Sequence, residues 1–163
     1  MEFQVRSGME LIPRAECLAL LESQHVGRLG FLVGDQPMVL PVNYGLEGGV
    51  IVFRTGEGAK LDAARGNKVA FEVDDLDADA CSGWSVVVQG VAEDITDLDN
   101  WFAERLRAVA GPPCVPGVAD HFVRIAPSHI SGRRLPADPR SKNVRRMVLP
   151  SWVPGDPSAR SPA

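Results

Sequence analysis

Residues 26–55 read VGRLGFLVGDQPMVLPVNYGLEGGVIVFRT, and this stretch decides the fold. It contains three largely apolar runs, at 26–33, 38–46 and 50–55, and each run is bounded by turn residues. Such runs are typical of consecutive strands. Connections this short join antiparallel neighbours, because parallel strands need a long crossover. The stretch therefore predicts an antiparallel meander of three strands.

Pro41 interrupts the second of these runs. Proline has no N–H to donate to a sheet ladder, so within sheets it occurs at edges and bulges. We therefore expect the middle strand to have a free edge or a bulge at Pro41.

On either side of the meander the sequence contains more strands and a few short helices. The predicted helices cover residues 13–22, a short segment within 56–65, and 98–109 with Thr96 or Asp97 as its cap; the predicted strands cover 68–74, 84–95, 122–125 and an extension at 129–135. Closely spaced strands favour an antiparallel sheet that closes into a barrel. We predict a mainly β fold, a β-barrel with a few short helices.

Composition limits the classes of function. The chain has 163 residues, which suits one domain, and its net charge is −4. A nucleic-acid-binding protein would usually present a basic face, so we expect no nucleic-acid partner. No apolar run is long enough to span a membrane, and no secretory leader is visible. Cys17, Cys81 and Cys114 form no CxxC pair, so we expect reduced thiols in a cytoplasmic protein.

The composition changes after residue 135. The last 28 residues contain six prolines and no clear periodicity. We therefore divide the chain into a domain at 1–135 and a proline-rich tail at 136–163. The tail is either flexible or a clasp over a neighbouring subunit, and its candidate apolar anchors are Met147, Val148, Leu149 and Trp152.

A candidate anion site follows the third strand of the meander. Thr55 supplies a hydroxyl, and Gly56 and Gly58 allow the backbone N–H groups to approach an anion closely. The N-terminus of a short helix follows, with Lys60 in its first turn. The pattern fits a phosphate monoester, but it equally fits an ordinary strand-to-helix turn with a surface lysine. It matches neither the P-loop nor the GxGxxG motif.

The order of the motifs resembles a known family. VGRLGFLV, VLPVNY, VFRTGEGAKLDAARGNKVAFEVDD, GWSVVVQGVAEDI and VRIAPSHISGRRL follow one another between His25 and Leu135. In this order and spacing they resemble the pyridoxamine 5′-phosphate oxidase-like FMN-binding split barrels, in particular the nitroimidazole-resistance-like branch. The resemblance implies a six-stranded antiparallel split barrel of Greek-key topology. It also implies a homodimer with FMN at the subunit interface.

The resemblance implies a role for particular residues. The second strand of the meander passes beside the flavin ring in this family, many of its contacts being made by the backbone. The third strand and the glycine turn hold the ribityl chain and the phosphate, and the 84–95 strand contributes a further contact. The implied cofactor-binding residues are therefore Pro41, Val42, Asn43, Tyr44, Phe53, Arg54, Thr55, Lys60, Leu61, Trp84 and Ser85.

The sequence also departs from the oxidase itself. Val39 stands where that enzyme has an arginine, and its C-terminal substrate-binding segment has no equivalent here. These differences argue against vitamin B6 as the substrate. Arg54 stands where the nitroimidazole-type branch often has a histidine linked with cofactor or haem contact, which weakens haem as the ligand.

Three functions remain open. The first is a flavin-dependent oxidoreductase that acts on a small planar molecule by hydride transfer, with the cofactor supplying the chemistry. The second is a non-catalytic protein that binds FMN or haem, and the third is a deazaflavin-dependent relative. His25, His121 and His129 are dispersed without ligand spacing, so we expect them to be structural or solvated and expect no metal site. No catalytic residue is assigned.

Overall fold

The computed structural model describes residues 9–58, 61–62, 65–80, 82–112 and 120–136. Seven strands and two helices lie in these ranges. In chain order they are β1 (Glu10–Ile12), α1 (Arg14–Glu22), β2 (Val26–Val33), β3 (Gln36–Glu47), β4 (Val50–Thr55), β5 (Lys68–Asp77), β6 (Ser82–Asp94), α2 (Trp101–Val109) and β7 (His121–Leu135).

The predicted six-stranded barrel is confirmed. Hydrogen-bonded neighbours follow the order β7–β4–β3–β2–β5–β6, and β6 pairs with β7 again to close the ring. All of these pairings are antiparallel. The hairpin-connected strands β2, β3 and β4 are joined by β5, which returns to lie beside β2, and this is a Greek key. The short strand β1, which the sequence pattern does not predict, pairs with β7.

Strand β7 is one continuous element where two pieces were expected. Its ladder with β6 shifts register between Gln89 and Gly90, so the strand passes Pro127 without breaking the barrel. A Cβ at Gly90 would lie 2.2 Å from the Ala126 carbonyl oxygen. Glycine at this position therefore permits the close approach of the two backbones.

The barrel interior is filled by alternating side chains from every strand, as the period of two requires. Phe71 lies near the centre of this core and packs edge-on against Tyr44, with ring centroids 4.9 Å apart. Cys17 of α1 is fully buried and lies against Gly132. Burial raises the pKa of the Cys17 thiol, which is consistent with an unreactive thiol that packs as a small apolar group. Cys81 and Cys114 lie outside the described residues.

Helix α2 covers the outer face of β4. Leu106 packs with Val52 and Ile95 in a second apolar cluster outside the barrel. The predicted cap was wrong, because Asn100 accepts the Ala103 N–H at 2.9 Å and begins the helix. Thr96 instead accepts the N–H of Phe122, so its hydroxyl is used in a tertiary contact.

Strand β3 changes its pairing partner along its length. It pairs with β2 from Gln36 to Asn43, but with β4 only from Tyr44 to Glu47. The first two thirds of β3 therefore present an edge where the barrel is split. Pro41 lies on this edge, which confirms that prediction.

No helix in the described ranges is long and apolar enough to cross a membrane. The predicted tail, apart from Pro136, lies beyond the described residues.

The contact between α2 and β3 gives a test of packing. A Cβ at Gly45 would lie 2.0 Å from the Val109 carbonyl oxygen, whereas one at Gly30 would have no neighbour nearer than 3.6 Å. We expect Gly45→Ala to lower the free energy of unfolding by about 1–3 kcal/mol, because the helix must shift. Gly30→Ala is the matched control and should cost much less. Equal losses in chemical denaturation would contradict this account of the α2 contact.

Candidate functional site

The split between β3 and β4 brings polar side chains to the outer face of the barrel. Val42 and Tyr44 point into the core. Successive side chains of a strand alternate between its two faces, so the neighbouring Pro41 and Asn43 point outward. Arg54 likewise lies between the buried residues Phe53 and Thr55. Asn43 and Arg54 are the residues next to the last β3–β4 pair, Tyr44–Phe53, so both lie where the two strands separate. Two of the predicted site residues thus share one face of the split.

Both of these side chains are held in place. The Asn43 amide donates to the Pro112 carbonyl at 2.7 Å. The Arg54 guanidinium lies over the ring of Phe122, 5.3 Å from its centroid, which is a cation–π arrangement. The split therefore presents a fixed amide and a fixed positive charge.

A cavity of about 350 Å³ opens beside Asn43. It is lined by the end of α1 and the residues after it, the C-terminal part of β3, the end of α2 and the residues that follow α2. Its size lies within the range of small-molecule sites, roughly 300–1,000 Å³. Its lining combines apolar and polar side chains: Leu21, Glu22, Gln24, His25, Asn43, Tyr44, Gly45, Leu46, Val109, Gly111 and Pro112.

Most of these lining residues were not among the sequence-predicted site residues. Gly111 and Pro112 reach β3 only because α2 packs back across the barrel, and the contact spans 69 residues of sequence. No local motif marks such a contact. The cavity is therefore a tertiary feature that the sequence pattern could not locate.

Four predicted site residues have their side chains in the core. Val42, Tyr44, Phe53 and Leu61 are all almost fully buried. The Tyr44 hydroxyl donates to the Leu21 carbonyl, and burial raises the pKa of this phenol. These residues can contact a ligand only through their backbone atoms. The family resemblance likewise implied that many of the contacts made by β3 are backbone contacts.

The turn that follows β4, here called the glycine turn, contains Gly56 and Gly58. Gly58 has a φ of 126° and accepts hydrogen bonds from the N–H groups of Leu61 and Asp62, at 2.9 and 3.0 Å. The amides of Leu61 and Asp62 are thus used within the turn. An anion at this place would be held by other groups. Thr55 is buried and its hydroxyl donates to the Gly56 carbonyl at 3.2 Å, while Lys60 lies outside the described residues.

The two predicted residues on β6 lie away from the split. Trp84 packs against the core, and Ser85 lies on the outer face between Asp74 and Arg133. Ser85 and Asn43 are separated by β2 and β5, which is three interstrand spacings, or about 14 Å along the sheet. The structure therefore does not bring Trp84 and Ser85 together with the β3–β4 residues within one chain.

The outer face between these two groups is partly apolar. Val26, Leu32 and Val39 are 53%, 60% and 64% exposed. Arg28 lies among them and pairs with Glu72 at 3.0 Å and with Asp74 at 2.9 Å. Partial burial and the adjacent Asp74 raise the pKa of Glu72, against the opposing effect of Arg28.

Comparison with known proteins identifies the family. The family profile described as pyridoxamine 5′-phosphate oxidase matches residues 13–134. Among solved structures, the FAD-binding protein from Mycobacterium smegmatis is 35% identical, with a TM-score of 0.64 over 77% of this chain and 98% of that one. An FAD-binding protein from Mesorhizobium loti is 25% identical, with a TM-score of 0.63 over 77% and 96% of the two chains.

An FAD- and haem-binding protein from Mycobacterium smegmatis shares the fold at 18% identity, with a TM-score of 0.58 over 79% of this chain and 74% of that one. The profile match covers most of the chain, and the barrel shares the fold of these solved structures. The chain therefore belongs to the pyridoxamine 5′-phosphate oxidase-like family of split β-barrels.

Proposed function

We propose that this protein binds FMN in a site shared by two copies of the chain and uses the flavin to oxidise or reduce a small planar molecule. The observation that carries the proposal is the split between β3 and β4. Asn43 lines a ligand-sized cavity at this split, and Arg54 follows the last β3–β4 pair, in a chain of this family.

The flavin is supported by the family and by the chemistry of the split. Two relatives of this fold, at 35% and 25% identity, are FAD-binding proteins. The free edge of β3 offers backbone N–H and C=O groups, which suit the polar edge of an isoalloxazine ring. Arg54 lies toward the end of β4, where its positive charge suits a phosphate.

The choice of FMN follows from the resemblance of the VFRTGEGAK segment to the phosphate-binding segment of FMN-binding relatives. FAD, deazaflavin and haem are the competing ligands. The absorbance spectrum of the purified protein separates deazaflavin and haem from a flavin, because they absorb at different wavelengths, and the mass of the released cofactor separates FAD from FMN. A haem or deazaflavin spectrum would overturn the choice of FMN.

Catalysis in this proposal depends on the cofactor. A bound flavin supplies hydride transfer, and the chain contributes binding, orientation and the exclusion of water. Asn43 is held by Pro112 and Arg54 by Phe122, so both would contact a ligand without first losing side-chain freedom. The cavity beside Asn43 would exclude water from one side of the ring.

The shared site is inferred from the distance between the two predicted groups. Ser85 lies three strands away from Asn43 on the same sheet. A second copy, related by a twofold axis on this face, would bring its Trp84 and Ser85 to the split of the first. The exposed side chains of Val26, Leu32 and Val39 would be buried in such a dimer.

The phosphate assignment can be tested with two lysine variants. We expect Lys60→Ala to weaken FMN binding by about 1.5–3 kcal/mol, because a charged hydrogen bond to the phosphate is lost. Lys68→Ala is the control, since Lys68 is an exposed residue that opens β5. Fluorescence titration with FMN and riboflavin gives the affinities. Equal losses in the two variants would remove Lys60 from the phosphate site.

The dimer can be tested on the apolar outer face. The chain has a mass of 17.5 kDa, and we expect sedimentation at low micromolar concentration to give twice this value. Val39→Asp should shift the protein toward monomer and weaken flavin binding, because a charge would be buried without a partner. Leu98→Asp, at an exposed position before α2, should do neither. A monomer that still binds stoichiometric FMN would disprove the shared site.

A further inference from the structure

Two helices end at the cavity beside Asn43. Leu21 and Glu22, the last two residues within α1, line this cavity, and so does Val109, the last residue of α2. The C-terminal end of a helix carries a partial negative charge, because its last carbonyl groups have no partner within the helix. Two negative helix ends therefore lie at the same cavity.

The end of α2 is held against the outer face of β3. A Cβ at Gly45 would lie 2.0 Å from the Val109 carbonyl oxygen, so this oxygen lies directly on the strand. Gly111 packs on the same strand, since a Cβ there would lie 3.6 Å from the Cβ of Asn43. The negative end of α2 is thus fixed at the wall of the cavity.

Neither helix end is neutralised by a basic residue at the cavity. The last turn of α1 contains no basic residue. The last turn of α2 contains Arg107, but its guanidinium donates to the carbonyl groups of Ile95 and Leu98, each at 2.9 Å. Both carbonyls belong to the segment that precedes α2. In the described part of the chain no lysine or arginine lines the cavity, and residues 113–119 contain no charged residue.

Glu22 adds a full negative charge at the end of α1. A carboxylate in the last turn of a helix interacts unfavourably with the helix dipole. Glu16, on the same helix, is paired with Arg134, whereas Glu22 forms no ion pair with any residue that the structure describes. The stability of α1 therefore does not depend on this charge, and the carboxylate is available to a ligand in the cavity.

The remaining lining suits a small ring. Leu46 and Val109 contribute apolar surface, and Gln24 and His25 contribute groups that can form hydrogen bonds. The volume of about 350 Å³ lies near the lower end of the range for small-molecule sites. While His25 is uncharged, Glu22 carries the single formal charge among the described lining residues.

We propose that the small planar molecule on which this protein acts carries a positive charge, as an amidinium or another protonated nitrogen base does, and that Glu22 selects it. This inference rests on the proposed function and names the substrate class for it. The N–H groups of such a cation donate to the Glu22 carboxylate. The two helix ends stabilise the positive charge, and the apolar lining contacts the ring.

Benzamidine, benzamide and benzoate are the probes, because they are similar in shape but are a cation, a neutral molecule and an anion. At about pH 8 histidine is uncharged. There we expect the full chain, as purified, to bind benzamidine about three- to tenfold more tightly than benzamide, and benzoate most weakly. The ratio is modest because Glu22 is exposed to solvent. NMR titration gives the affinities, and the amide signals of Gly45 and Gly111 report binding in the cavity.

Variants of Glu22 separate a ligand contact from a structural role. Glu22→Gln should remove the preference for benzamidine, and Glu22→Lys should reverse it in favour of benzoate. Neither variant should unfold at a lower denaturant concentration than the wild type, because the replaced carboxylate opposes the helix dipole. Glu104→Gln is the matched control and should keep the preference, since Glu104 is an exposed carboxylate of α2 that does not line the cavity.

Three results would overturn the inference: benzamide bound as tightly as benzamidine, a preference that survives Glu22→Gln, or no binding of any probe at millimolar concentration. The flavin content of the same preparation is measured separately by absorbance. A protein that binds flavin but lacks the preference for benzamidine contradicts this inference alone. A protein that binds no flavin contradicts the proposed function, whatever its preference among the probes.

Discussion

Closure of the barrel by β7 is the constraint on which the other features depend. This strand pairs with β4 along its first residues, with β6 along most of its length and with β1 at its end. One strand can serve three neighbours because the register shift at Gly90 bends the ladder and lets the two backbones approach closely. If that contact were lost, the sheet would have two open edges and the barrel core would be exposed to solvent between them.

Closure through β7 also explains why the barrel has a split. β4 is drawn toward β7, so it stays with β3 only from Tyr44 to Glu47 and leaves the rest of β3 as an edge. An unpaired strand edge can pair with another chain and so promote aggregation. Here it lies beside a cavity and a fixed arginine, and a ligand or a second chain could satisfy its backbone groups. The same geometry that completes the core therefore creates the place where a cofactor can bind.

Much of the fold could be predicted because its turns are local. Gly34, Gly48 and Gly49 have positive φ angles at the turns of the β2–β3–β4 meander, and glycine is readily recognised there. Distant contacts could not be predicted in this way. The start of α2 was misplaced because the Thr96 hydroxyl bonds the backbone of Phe122, 26 residues away, instead of capping a helix.

The candidate site shows the same division between features that local sequence patterns predict and features that depend on distant contacts. The alternation of buried residues around Asn43 and Arg54 follows from strand periodicity, whereas their cofactor-binding role was implied by the family resemblance. The cavity and the contact between Asp94 and His121 depend on how α2 and β7 return to the barrel, which no short motif records. His121 was expected to be structural or solvated, and its partly buried position beside Asp94 emerges only from strand pairing.

The hydrogen bond from Tyr44 to Leu21 has a consequence for the cooperativity of the fold. The last carbonyls of a helix have no partner within the helix, and in α1 one of them is satisfied by a phenol from inside the barrel. The helix is only nine residues long, too short to be stable alone. Its end therefore cannot fray without exposing a buried hydroxyl. The amides of α1 should accordingly exchange with solvent at the rate of the barrel core, as part of a single unfolding unit.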